Sequence, residues 1–146
     1  TPQYNGVLLF TRPMHSSEWS SILFNFYTNS KKAIYRKGEK GIIGIECGVS
    51  EKMIYLEFSD NGIGIPEEYE ERIFDEFFTT TSAMNYEDID SVNAVLGTGL
   101  GLKIVKDIVE SYKGRIFVTS PKNQFNTCIR VEIPMLDDKD FEKYGL

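Results

Sequence analysis

Three polar residues, Asn25, Asn29 and Lys32, are spaced so that they share one side of a helix. At about 100° per residue, these separations put them in one narrow stripe, opposite the apolar residues of the same segment. Amide oxygens are hard ligands for a hydrated divalent cation, and an ammonium group attracts oxyanions. The stripe therefore suits a metal ion and its phosphates, although a plain solvated helix face has the same pattern.

The segment DNGIGIP, residues 60–66, carries a second set of chemical groups. A carboxylate only accepts hydrogen bonds, so Asp60 is suited to an exocyclic amine such as that of adenine, whereas guanine presents a carbonyl there. Gly62 and Gly64 would let a flat ring approach the backbone closely. An ordinary turn is the alternative, because Asn-Gly is a common turn dipeptide.

The segment GTGLGL, residues 97–102, precedes a helical pattern. Glycines ahead of a helix place free N–H groups and the positive end of the helix dipole where a phosphate can bind. The segment is neither the dinucleotide fingerprint, because Leu102 stands where that motif needs glycine, nor a Walker-type loop. By itself it is weak evidence for phosphate binding.

The elements around these motifs predict an α+β domain. A helix over about 16–35 carries the first stripe, because its apolar residues recur at three- and four-residue steps. Two strands are predicted near Ile42–Cys47 and Met53–Ser59, with a polar connection over Gly48–Lys52. The Asp60 segment thus ends a strand.

Further along the chain, Pro66 opens a predicted helix that runs toward Phe77. Residues 79–96 show no clear period, which predicts a long mobile loop. The helix after GTGLGL is predicted to stop at Gly114. Its apolar repeat is Leu100, Ile104, Ile108 and Tyr112. The remaining predicted elements are two strands, an edge strand and a frayed polar tail: Arg115–Thr119, Thr127–Ile133, Val7–Phe10 and 137–146.

Composition narrows the function. The chain has 146 residues, of which 41% are hydrophobic, and this fits a single domain over 1–146. Its net charge of −6 argues against broad binding to nucleic acid or to an anionic membrane. One histidine nearly excludes a metal site built from several imidazoles. Two cysteines suit a reducing, cytoplasmic setting, although the parent chain could be membrane-anchored. The start at Thr1 without Met predicts a piece excised from a longer chain.

In this order, the segments resemble the ATP-binding catalytic domain of histidine kinases, within the wider GHKL ATPase superfamily. Residues 22–34 are similar to its N box and 60–65 to its first glycine box. Residues 72–81 are similar to its F box, and 97–116 to its second glycine box and following helix. The resemblance spans roughly residues 14–134.

The resemblance implies a two-layer α/β sandwich, the Bergerat fold, with a mixed sheet, about three helices on one face and a flexible ATP lid over 79–96. Asn29 would hold Mg²⁺ bridging the phosphates of ATP, with Asn25 one turn before it, and Lys32 would contact phosphate. Asp60 would accept the adenine amino group. The other implied ATP-binding residues are Gly62, Gly64, Ile65, Phe78, Gly97, Thr98, Gly99, Leu100, Gly101, Leu102 and Thr127. The three implied hinge aromatics are Phe74, Phe77 and Phe78, of which Phe74 and Phe77 are expected in the core.

The chain departs from the family pattern at four positions. Ala33 stands where many members have an aromatic residue, and Thr81 where a subgroup has a phosphate-binding lysine. Asn126 replaces the usual glycine before Thr127. Asn25 replaces the glutamate base of the hydrolytic branches, and because an amide cannot take a proton from water, vigorous hydrolysis is not expected.

The implied activity is that of a protein-histidine kinase. His15 lies in a segment unlike a phosphoacceptor box, and we expect it to be a surface residue just before a helix. The acceptor histidine would lie on a dimerisation domain N-terminal to Thr1, and through that domain the protein would meet a response regulator. A nucleotide-gated interaction module without phosphotransfer is the alternative, and an anti-sigma-factor type of protein-serine kinase is a third.

Overall fold

A four-stranded sheet forms the centre of the computed structural model, which describes residues 9–78 and 100–145. Its spatial order is β1-β2-β4-β3, and every pairing is antiparallel. The predicted two-layer sandwich is confirmed, but the described strands form no mixed sheet. The strands are β1 (Ile43–Ser50), β2 (Met53–Asp60), β3 (Arg115–Val118) and β4 (Thr127–Pro134).

The first hairpin is tighter than its sequence indicated. Ser50 pairs with Met53, so only Glu51 and Lys52 form the turn, with φ angles of 51° and 64°. Positive φ at both central residues is the mirror-image turn that matches the twist of paired strands. Residues 48–50, predicted as part of the connection, therefore belong to β1.

Within the described ranges, three α-helices accompany the sheet: α1 (Ser16–Lys37), α2 (Gly101–Ser111) and α3 (Asp138–Tyr144). The α1 helix starts after His15, which is exposed as predicted and whose backbone N–H donates to the Glu18 carboxylate at 3.0 Å. It ends at Gly38, whose φ of 74° is the left-handed conformation that favours glycine. No helix within the described residues is long and apolar enough to cross a bilayer.

The core lies between one face of the sheet and the two long helices. Phe26 of α1 meets Phe58 of β2 with ring centroids 5.4 Å apart, and Val105 and Val109 of α2 are fully buried. Ile104, part of the predicted apolar repeat, is instead 44% exposed. The buried face of α2 is thus offset from the four-residue repeat read in the sequence.

The end of α2 also differs from its prediction. The helix stops at Ser111, and Lys113, not Gly114, has the left-handed φ of 59°. A Cβ on Gly114 would lie 2.3 Å from the Glu132 carbonyl oxygen. Gly114 therefore allows close backbone approach to β4, which explains a glycine here without a left-handed cap.

The predicted helix from Pro66 to Phe77 is wrong, because the segment forms two 3₁₀ turns, Glu67–Tyr69 and Arg72–Phe74. Glutamates at 67, 68, 70 and 71 would repel one another at helical spacing. Phe74 is buried as predicted, but Phe77 is 67% exposed with a φ of 61°, so its assignment to the core is wrong.

The two ends of the chain also depart from prediction. The polar tail contains α3, where Asp137 accepts a hydrogen bond from the Asp140 backbone N–H at 2.8 Å. Arg12 forms an ion pair with Asp140 at 3.2 Å. Near the other end, the expected edge strand is not formed at Leu9 and Phe10, its described residues; Thr11 makes a single bridge to Met135.

The outer face of the sheet, opposite the face on which α1 and α2 pack, carries a network of charges. Arg130 donates to Glu57 at 2.7 Å and to Glu132 at 2.8 Å, and its guanidinium lies 4.0 Å from the centre of the Tyr55 ring. Burial alone would raise the pKa of both glutamates, but hydrogen bonds from Arg130 and its neighbours hold each pKa below its ordinary value. The remaining charged members are Lys122, Arg115 and Glu46.

Candidate functional site

Asp60, the last residue of β2, lies where α1 crosses the end of the sheet. It is 3% exposed, and Ser30 of α1 donates to its Oδ2 at 2.6 Å. The backbone N–H of Gly62 donates to its Oδ1 at 2.9 Å. Each carboxylate oxygen has more than one acceptor position, so both can take a further donor. The predicted base-reading carboxylate is thus held from two sides.

Thr127 begins β4 directly opposite Asp60 in the strand register. Directly opposed residues point to the same face, so the Thr127 side chain neighbours that of Asp60 on the side where the helices pack. Thr127 is 7% exposed. The structure therefore brings together the two residues expected near adenine, although they are far apart in sequence.

Glycine is needed at the two positions after Asp60, Gly62 and Gly64, for different structural reasons. A Cβ on Gly62 would lie 2.6 Å from the backbone carbon and from the Cβ of Ala33. What approaches Gly62 closely is therefore helix α1, and the Ile63 N–H donates to the Ala33 carbonyl at 3.2 Å. Gly64 has a φ of 81°, a conformation that L side chains rarely adopt.

The helical stripe predicted from spacing is present on α1. The Asn25 side chain donates to the Ser21 carbonyl at 2.8 Å. Asn29 is half-buried, and its side chain has no hydrogen-bond partner among residues 9–78 and 100–145. An amide that is half-buried and unpartnered fits a ligand for a hard cation.

Lys32, the third member of the stripe, is also half-buried. Burial lowers the pKa of its ammonium group, and the charge of Arg36 lowers it further. Its ammonium makes no ion pair with the part of the chain that the structure describes. A partly dehydrated cation of this kind suits an anionic ligand.

The start of α2 meets the same stripe. Leu100 precedes the helix, and its carbonyl accepts from the Ile104 N–H at 2.9 Å. A Cβ on Gly101 would lie 2.5 Å from Asn25 Oδ1, so the amide of α1 reaches the first residue of α2. This contact joins the first and third motifs. Leu102 packs against the core, as does Ile65 of the second motif.

Of the remaining predicted residues, Phe78 contacts a neighbouring segment and the others lie outside the described ranges. Phe78 is half-buried, 5.4 Å from the Tyr69 ring centre and 4.9 Å from the Arg72 guanidinium. The predicted ATP lid, 79–96, lies outside the described residues, as do three predicted phosphate-binding residues: Gly97, Thr98 and Gly99.

Two residues of the site were not among those predicted from sequence. Ser30 continues the buried series of Ile22 and Phe26 at four-residue steps, and a hydroxyl at a core position is the signal that could have identified it. Asn126, noted only as a departure, donates to the carbonyls of Asn61 and Gly62 at 3.2 and 2.8 Å. Its backbone N–H also donates to the Asp60 carbonyl at 2.8 Å.

The chain is similar to known sensor kinases. The sensor protein kinase WalK of Staphylococcus haemolyticus is 35% identical over 130 residues, which cover 85% of this chain and 19% of WalK. WalK of Staphylococcus aureus is 33% identical over 130 residues, which cover 85% of this chain and 28% of that protein. The chain thus spans well under a third of the length of these relatives.

Two solved structures share the fold. A mycobacterial sensor histidine kinase, MprB, is 25% identical with a TM-score of 0.64, covering 84% of this chain and 73% of that one. The catalytic domain of histidine kinase ThkA is 28% identical with a TM-score of 0.60, covering 82% of this chain and 68% of that one. The family model described as histidine kinase-, DNA gyrase B-, and HSP90-like ATPase matches residues 15–137. The chain belongs to this family of ATP-binding domains.

Proposed function

We propose that this chain is the ATP-binding catalytic part of a sensor histidine kinase. It binds Mg²⁺-ATP and donates the γ-phosphoryl group to a histidine on a dimerisation domain of the same protein. One observation carries the proposal: α1 contacts both the Asp60 loop, through Ser30, and the start of α2, through Asn25 and Gly101. Three segments that are distant in sequence thus border one site.

In this site the adenine ring lies near Asp60 and Thr127. The Asp60 carboxylate accepts from the amino group of adenine, a donor that guanine lacks at the equivalent position. Gly62, Gly64 and Ile65 shape this end, and Phe78 borders the site.

The phosphates lie between the α1 stripe and the start of α2. Lys32 and the backbone amides near Leu100–Leu102, with Gly97–Gly99 before them, bind phosphate oxygens. Asn29 supplies an amide oxygen for Mg²⁺, which neutralises phosphate charge when bound. In the transfer, the bond from the γ-phosphorus to the bridging oxygen breaks and a bond to the acceptor nitrogen forms, leaving ADP.

Asn25 is the reason that we expect phosphoryl transfer rather than hydrolysis of ATP. Its amide cannot act as a general base toward water, so the site lacks, at this position, the group that hydrolysis needs. We therefore expect the chain to hold ATP for transfer and to hydrolyse it slowly. The response regulator would be reached through the dimerisation domain.

Calorimetric titration of the 146-residue chain tests the nucleotide part of the proposal. ATP with Mg²⁺ should bind saturably, ATP without Mg²⁺ more weakly, and GTP weakest. A folded chain that gives no binding heat at millimolar ATP would contradict it.

Phosphotransfer is tested separately with the full-length protein. Radiolabel from γ-labelled ATP should appear on a histidine, recognised as an acid-labile, base-stable phosphoramidate. Nucleotide binding without any such transfer would favour the interaction module. Label on serine would favour the protein-serine kinase.

A further inference from the structure

Ser30 is the residue of α1 that touches the Asp60 carboxylate. It is 4% exposed, and its hydroxyl donates to Oδ2 at 2.6 Å. A hydroxyl that donates to a carboxylate makes a short, charge-assisted hydrogen bond, stronger than a neutral one. Among the described residues, this is the side-chain contact between the helix that carries Asn25, Asn29 and Lys32 and the residue proposed to accept from adenine.

The two hydrogen bonds to Asp60 together fix the plane of its carboxylate. The Gly62 N–H holds Oδ1 at 2.9 Å from within the same loop, and Ser30 holds Oδ2 from the neighbouring helix. With only the Gly62 contact, the carboxylate could rotate about its terminal torsion, which is broad in aspartate. The Ser30 contact therefore limits where the free acceptor positions of Asp60 point.

We propose that Ser30 is a positioning residue that sets selectivity for a 6-aminopurine by aiming the Asp60 carboxylate. The inference rests on the proposed function, since it requires adenine to lie at Asp60. Ser30 acts through Asp60, and the amino group is the part of the nucleotide whose recognition it controls.

The experiment compares two ligands that differ in one group. ATP carries the 6-amino group, whereas purine riboside 5′-triphosphate has hydrogen there and is otherwise the same. Affinities of both, with Mg²⁺, are measured for the wild-type chain, Ser30→Ala and Ser30→Thr. Alanine is the best helix former, so Ser30→Ala leaves α1 intact.

We expect Ser30→Ala to weaken ATP about tenfold, the size of one hydrogen bond to a charged group, and to leave purine riboside triphosphate within about twofold. Ser30→Thr keeps the hydroxyl and should retain the preference for ATP. Thr28→Ala, which removes another α1 hydroxyl bonded only to the Asn25 carbonyl, should leave the preference unchanged.

Three outcomes would overturn the inference, and they are distinguishable. Equal weakening of both ligands by Ser30→Ala would make Ser30 a general structural residue. Unchanged affinities for both ligands in Ser30→Ala would show that Asp60 is aimed without it. A wild-type chain that binds both ligands equally would contradict the placement of adenine at Asp60, and with it that part of the proposed function.

Discussion

The two ends of the proposed ATP site differ in how completely their polar groups are already bonded. At the adenine end, Asp60 accepts from Ser30 and Gly62, and Asn126 bonds the loop beside it. At the phosphate end, Asn29 has no hydrogen-bond partner and Lys32 no ion pair within residues 9–78 and 100–145. The protein thus fixes the carboxylate proposed to bind the base in advance, and it leaves the groups proposed to bind Mg²⁺ and phosphate for the ligand to complete.

Removing the Asp60 carboxylate should have the largest effect. Asp60→Asn places a donor NH₂ or a single carbonyl where two acceptors stood, so the Ser30 hydroxyl, the Gly62 N–H and the adenine amine cannot all be satisfied. We expect ATP affinity to fall by the equivalent of about 1–3 kcal/mol, measured by calorimetry. The charge-matched control is Asp138→Asn on α3, which should bind ATP normally. If Asp60→Asn bound ATP with the affinity of the wild type, Asp60 would not be the residue that binds adenine, and the two ends of the site could not be compared in this way.

At the phosphate end, Asn29→Ala should abolish most of the gain in affinity that Mg²⁺ provides. The effect should be about tenfold with Mg²⁺ and small in EDTA, because the proposed amide contact is to the cation. Discrimination between ATP and GTP should persist, since Asp60 is untouched. An equal loss with and without Mg²⁺ would show that Asn29 binds the nucleotide in another way.

Gly101→Ala tests the junction of α1 and α2. The new Cβ would lie 2.5 Å from Asn25 Oδ1, and the amide can turn away only by giving up its present position. Alanine favours a helix by about 1 kcal/mol over glycine, so thermal stability should be kept or raised. ATP affinity should nevertheless fall. The expected loss is about threefold, which corresponds to about half the free energy of one ordinary hydrogen bond. Lower stability with normal affinity would contradict this reasoning.

Asn126→Ala tests how far the adenine end depends on its loop. Two side-chain hydrogen bonds, at 2.8 and 3.2 Å, would be lost from an exposed residue, so the expected cost is about 1 kcal/mol. That corresponds to a fall in Tm of about 2–4 °C for a chain of this size. Gln124→Ala, a neighbouring exposed position, is the control. An unchanged Tm in Asn126→Ala would mean that the loop holds its shape without this side chain.

The smallest expected effect concerns pH. Burial lowers the pKa of Lys32, so its charged form is lost at lower pH than that of an ordinary lysine. ATP affinity should therefore weaken on the alkaline side, whereas adenosine, which has no phosphates, should show no such trend. Lys32→Arg stays charged and should flatten the ATP profile. A profile that is the same in both proteins would assign the pH dependence to another group.

The secondary-structure elements whose apolar residues recur at regular spacing could be predicted from the sequence. Alternation in Met53–Asp60 and helical spacing in Ser16–Lys37 identified β2 and α1, although the polar face of β2 is also buried at Glu57 and Ser59. The order of the motifs indicated the family. The tight Glu51–Lys52 turn was missed because it is formed by residues with no particular preference for turns.

What could not be predicted depends on contacts between distant segments. Ser30 reads as one more polar helix residue until Asp60, thirty positions later, is placed against it. Gly114 reads as a helix stop until the Glu132 carbonyl is seen to occupy the space that a Cβ would need. Asn126 departs from the family pattern, yet its amide bonds the carbonyls of the neighbouring loop. In each case the partner is set by tertiary structure.

The charge network on the outer face of the sheet has a consequence for architecture. Three carboxylates and two further cations are arranged around Arg130, whose side chain is only 17% exposed, while Arg115 and Lys122 reach into water at 68% and 65%. Covering this face with an apolar layer would dehydrate those outer cations, at a cost of several kcal/mol per ion. The face thus resists stacking of a second sheet or of another copy of the chain, and it keeps the sandwich at two layers.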